Sequence, residues 1–278
     1  SSGGAITQTG ALTAGTLAIS NTSGDITLTN GSNNITNLGT STAYGAFSLD
    51  NATNNLSLTG TVETRDDSGG AITIDVGTGS LDTADQLINS RDGDDSNNDS
   101  GTITLIADTI DLGTTADKIT TTGAVILKPD TTNTAINIST GSAENAGTGF
   151  DLSTNEVEAV NNTTSKLTIG KVSGSSAGAV ALSADVYDFA SLEVLGNGIT
   201  VGGAITTSND TDIDLDGDTI TVSAGVTTGT GSITLEADSG ITISGVALTT
   251  TGAAIDLGSA AITLDTGTVT LTTGSGSA

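Results

Sequence analysis

The sequence predicts an all-β fold: a single-stranded parallel β-helix, or β-solenoid, with three short strands per coil of roughly 21 residues. Three observations carry this expectation. Ile199, Ile220, Ile241 and Ile262 follow one another at steps of 21 residues, inside GITVG (198–202), TITVS (219–223), GITIS (240–244) and AITLD (261–265). Apolar and polar residues alternate within each segment, the period of a pleated strand whose successive side chains point to opposite faces. The 278 residues include 38 glycines, one proline (Pro129) and only 2% aromatics. That composition suits a slim aliphatic core with many corners better than a thick sandwich.

Taken along the chain, GAIT (4–7), GDITL (24–28), GAFSL (45–49), GAITI (70–74) and GTITL (101–105) recur at uneven intervals. The widest gap holds SRDGDDSNNDSG (90–101), which reads as a loop inserted at a corner. Residues 141–190 are the least regular and contain Phe150, Tyr187 and Phe189, so a bulge or longer excursions are expected there. Residues 191–273 are the most regular. Besides the isoleucine column they contain SLEV (191–194), DIDL (212–215), SITL (232–235) and AIDL (254–257), and a third column, ITT (205–207), VTT (226–228), LTT (248–250) and LTT (271–273). Leu192, Ile213, Ile233 and Ile255 should stack inward, with Glu193, Asp214, Thr234 and Asp256 outside. A single coil cannot bury its own apolar face. Stacked coils about 4.8 Å apart satisfy the backbone and build a continuous core. The whole chain, 1–278, therefore reads as one elongated solenoid of about twelve coils, roughly 60 Å long.

GSITLEADSGITISG (231–245) and GAAIDLGSAAITLDTG (252–267) resemble the repeats of filamentous-haemagglutinin-like exoproteins, the bacterial surface adhesins. The resemblance implies a right-handed β-helix in a secreted or cell-surface protein, and covers residues 191–273 best.

Charge narrows the partners. Thirty-two acidic residues face six basic ones (Arg65, Arg91, Lys118, Lys128, Lys166 and Lys171), for a net charge of −26. Phosphate backbones and anionic lipid surfaces are repelled by such a field, so neither nucleic acid nor membrane insertion is expected. Low hydrophobicity with high charge also marks disordered chains; the ordered alternation and the scarcity of proline argue against that here. Without cysteine there is no disulfide, thiol chemistry or cysteine-ligated zinc.

Asp212, Asp214, Asp216 and Asp218, with Gly217, resemble the opening of a calcium loop, D-x-D-x-D-G. The closing glutamate is missing, because its position is Ser223, and Ile213 and Leu215 fit the strand ladder. A solvated outer face is thus the favoured reading and a Ca2+ site the alternative. Asp92, Asp94, Asp95 and Asp99 offer a second acidic group in the expected loop. The threonine file Thr200, Thr221, Thr242 and Thr263 lacks the parallel file that ice binding needs, since Gly202, Ser223, Ser244 and Asp265 occupy it. Many β-helices are polysaccharide lyases or hydrolases, and sugar clefts usually present aromatic platforms. Here there is no Trp or His, only Tyr44 and Tyr187, and the basic residues are scattered, so an enzyme is not expected.

The expected function is a structural and adhesive segment of a secreted or cell-surface bacterial fibre, a rigid stalk engaging a host-cell, glycan or matrix receptor. The alternative is a self-assembling extracellular filament or matrix protein that needs no receptor. Neither terminal stretch resembles a cap, and tail-to-head placement would put Ile6 22 positions after Ile262, so like chains or adjacent repeats are expected end to end.

Overall fold

The computed structural model describes residues 3–66, 69–91, 99–139, 150–171, 178–207 and 210–274. The chain folds as an all-β parallel β-solenoid of about eleven turns, with coils of about 21 residues, three parallel sheets and almost no helix. It divides into two compact units, 1–131 with 144–150 and 155–165, and 132–143 with 151–154 and 166–278.

In the first unit the recurring G-x-I segments do form one ladder: Ile6 pairs Ile26, then Phe47, Ile72, Ile103 and Val125. The step is 21 residues from Ile26 to Phe47, 25 from Phe47 to Ile72 and 31 from Ile72 to Ile103. These longer coils explain why the chain makes fewer turns than a uniform 21-residue period predicts. Leu28, Leu49, Ile74, Leu105 and Leu127 form the next inward column, and all are buried. The glycine leading each segment marks a tight approach between coils. A Cβ on Gly101 would lie 2.2 Å from the Gly70 carbonyl oxygen, closer than any side chain tolerates.

The corners of this unit are hydrogen-bonded. The Oδ1 atoms of Asp50, Asp75, Asp82 and Asp111 each accept the backbone N–H two residues on, at 2.7–2.8 Å. The donors, Ala52, Gly77, Ala84 and Gly113, all have left-handed backbone, with φ between 49° and 79°. Much of the acidity is therefore spent on turning the chain. Asn33, and Asn51 within the Asp50–Ala52 turn, are fully buried. Asn51 Nδ2 donates to the Ile35 carbonyl (2.9 Å) and its Oδ1 accepts the Ile35 N–H (2.8 Å), so one amide replaces a missing ladder partner. Buried Thr64 donates to the Gly70 carbonyl (2.7 Å), and Thr121 does the same for Gly101 (2.6 Å).

The helix Thr154–Glu158 is a feature that the alternation did not foreshadow. Its buried Glu156 accepts the Leu112 N–H at 3.1 Å, just beyond the strand Thr109–Asp111. Residues 141–149 and 172–177, within the stretch read as irregular, lie outside the described residues, as do 92–98 of the expected loop. Phe150, Tyr187 and Phe189 are all in the core.

In the second unit every column read from the sequence is in register. Leu192, Ile213, Ile233 and Ile255 pair in succession, as do Ile199, Ile220, Ile241 and Ile262, and Ile205, Val226, Leu248 and Leu271. In three coils the first two columns run together in one strand of 11 residues, Ser191–Val201, Asp212–Val222 and Ile233–Ile243, each followed by a much shorter one; in the last coil Ile255–Asp256, Ile262–Leu264 and Thr270–Thr273 are separate. The paired positions Gly196, Gly217 and Ala237 let each strand pass the corner, because no bulky side chain stands there, although the register shifts by one residue between Gly217 and Thr219. Threonine occurs on both faces. Thr200, Thr221, Thr242 and Thr263 face outward, but Thr228 and Thr250 are buried, and Thr250 donates to the Ala253 carbonyl at 2.7 Å. A hydroxyl that returns its proton to the nearest corner carbonyl can be buried cheaply.

Candidate functional site

The four aspartates singled out as calcium candidates lie along one strand, Asp212–Val222. Asp212 is exposed, Asp214, Asp216 and Asp218 half-buried, with Ile213 and Leu215 in the core between them. Side chains two apart on a strand are separated by about 7 Å, so this spacing spreads carboxylates along a face. Asp212 Oδ1 is taken up by the Ser232 N–H (2.7 Å) and hydroxyl (2.8 Å). Among the described residues no group of three or more acidic side chains is placed to hold a metal ion. Asp92, Asp94 and Asp95 lie outside the described residues; Asp99 donates its N–H to the Ser90 carbonyl.

What the register does create is a carboxylate file, Glu193 beside Asp214. Glu193 is held by Lys166 Nζ (2.6 Å) and the Thr168 hydroxyl (2.8 Å). Asp214 Oδ1 is buried with no hydrogen-bond partner. Burial first, then the charges of Glu193 and Glu236, pushes the Asp214 carboxyl above the ordinary aspartate value.

A second constellation lies in the first unit, where Ser20 pairs Thr42, Thr42 pairs Glu63 and Glu63 pairs Asn89, while Arg65 pairs Arg91. Residues dispersed over 70 positions thereby become neighbours on one outer face. Glu63 is only 7% exposed. Its Oε1 accepts Arg65 Nε (3.1 Å), Arg65 Nη2 (2.7 Å) and the Thr42 hydroxyl (3.1 Å), and its Oε2 lies 3.6 Å from Arg91 Nη1. Two of the six basic side chains therefore converge on one carboxylate, which fixes the plane of the Arg65 guanidinium. Beside this network is a groove of about 430 Å3 lined by Ser20, Asn21, Thr22, Thr42, Tyr44 and Arg65. Tyr44 is 41% exposed, whereas the other four aromatic residues, Phe47, Phe150, Tyr187 and Phe189, are buried.

The linear sequence hid this site. Thr42 and Glu63 are one regular coil apart, but the 26-residue step from Arg65 to Arg91 does not fit the even period, so the basic residues looked scattered. Folding the uneven G-x-I segments into one ladder would have exposed the pairing.

Comparison with protein-family models, with curated proteins and with solved structures returns no match.

Proposed function

We propose that this chain is a structural and adhesive segment of a secreted or cell-surface bacterial fibre, a stiff stalk of the kind built by filamentous-haemagglutinin-like exoproteins. The work is mechanical, not catalytic: it separates and presents attachment sites. The observation that carries this reading is the coil-to-coil pairing of the 11-residue strands Ser191–Val201, Asp212–Val222 and Ile233–Ile243, parallel on both sides of a single register shift between Gly217 and Thr219. Parallel ladders of that length must be broken many bonds at a time, which favours resistance to load and to proteases. The test is attachment. The purified protein, fluorescently labelled, should coat host cells or extracellular matrix at concentrations where it is monomeric, and it should survive broad-specificity protease under native conditions. Absence of any cell or matrix binding, or rapid digestion, overturns the reading.

A further inference from the structure

We propose that the groove between Tyr44 and Arg65 binds a neutral saccharide. The proposal rests on the adhesive half of the reading above and gives it a site and a ligand class. A pyranose ring has a flat patch of C–H groups on its face and hydroxyls around its rim, each both donor and acceptor. The groove offers the complement to both. The exposed Tyr44 ring supplies an aromatic surface for the C–H face. Around it stand the hydroxyls of Ser20, Thr22 and Thr42 and the guanidinium of Arg65. Thr42 gives its own proton to Glu63, so its oxygen meets a ligand as an acceptor. Arg65, clamped by two bonds to Glu63, has its plane set before any ligand arrives, which lowers the entropy lost on binding. The volume, about 430 Å3, lies within the range of small-ligand sites and is of disaccharide scale.

Charge decides between a neutral and an acidic sugar. Arg65 shares the buried Glu63 carboxylate with Arg91, so the choice rests on the field of the whole chain. The chain around it carries −26, a field that opposes the approach of uronate or sialate groups.

The experiment uses the full chain with cellobiose, lactose, mannobiose and N,N'-diacetylchitobiose as neutral probes, and digalacturonate and sialyllactose as acidic ones. Saturation-transfer NMR detects binding and calorimetry ranks it. At least one neutral disaccharide should bind, with millimolar affinity or better, and acidic probes should bind more weakly. Tyr44→Ala should weaken binding by about tenfold or more and Tyr44→Phe by no more than about twofold, because stacking needs the ring and not its hydroxyl. Circular dichroism should show both variants folded, as Tyr44 lies at the surface. The proposal is overturned if no neutral probe binds, if acidic probes bind as tightly, or if a folded Tyr44→Ala retains wild-type affinity. Undiminished attachment of Tyr44→Ala to cells likewise removes the site while leaving the adhesive reading standing.

Discussion

The coils built on Ile26, Phe47, Ile72 and Ile103 and those built on Ile199, Ile220 and Ile241 solve the same problem with different means. The first set advances by 21, 25 and 31 residues and the second by 21 and 21, yet both keep inward residues in register. In the first set the surplus falls at one corner: the step is 4 residues from Ala43 to Phe47, 8 from Thr64 to Ile72 and 13 from Ser90 to Ile103, whereas the Asx-turn corners at Asp50 and Asp75 pair in register. In the second the surplus is one residue, between Ala237 and Gly240 opposite Gly217 and Thr219, and long strands run through Gly196 and Gly217. The difference shows that register follows the apolar ladder, whereas coil length is set at the corners. Stability should accordingly reside in different residue types in the two regions.

Five substitutions, read by chemical denaturation, test that division. The largest effect is expected in the regular coils. Ile220→Ala removes a fully buried ladder side chain and should cost about 4 kcal/mol, whereas Ile262→Ala, in the same column but 44% exposed, should cost less than about 1 kcal/mol. Equal losses would break the claim that burial comes from the following coil. Next comes a corner of the irregular set. Gly77 has φ 54°, and a Cβ there would sit 2.3 Å from the Ala52 carbonyl oxygen, so Gly77→Ala should cost about 3 kcal/mol. The corner residue Gly202 has its nearest such neighbour at 3.8 Å, and Gly202→Ala should stay within about 0.5 kcal/mol. Asn51→Ala leaves both polar groups of Ile35 without partners and should cost about 2 kcal/mol.

Two smaller effects run the other way. The Tyr187 hydroxyl is buried without a hydrogen-bond partner, and burial, with a lesser push from Asp185, holds it protonated far above the ordinary phenol range. Tyr187→Phe should therefore stabilise by about 1 kcal/mol; destabilisation would contradict that environment. Asp214 carries a raised carboxyl, so the folded state holds its proton more tightly than the unfolded chain does. Its contribution is most favourable below the ordinary aspartate value and is lost as pH rises through the raised one. Asp214→Asn should stabilise by about 0.5 kcal/mol at neutral pH, with the gain disappearing on acidification toward pH ~4.

Part of the site was legible and part was not. Alternation placed Asp212 and Asp214 on the outer face, and the strand spreads them as that reading required. Tyr44 and Arg65 are one regular coil of 21 residues apart, yet nothing in the linear pattern marked them as partners, because Arg65 is drawn to this face by Glu63 and the step on to Arg91 is 26 residues. The same alternation separates Thr228 from Thr227: Val226 and Thr228 are buried and Thr227 exposed.

By itself the sequence determined the all-β class, the parallel stacking and the partners within each ladder of residues 191–273. Those follow from a period of two within strands and a steady step between coils, and both are properties of the linear pattern. Only the tertiary structure decided which corners carry surplus chain, that two columns fuse into one 11-residue strand, and that Glu63 gathers Thr42, Arg65 and Arg91. Those outcomes depend on where backbone groups find partners once coils stack, and a hydrogen bond between neighbouring coils has no signature in either coil alone.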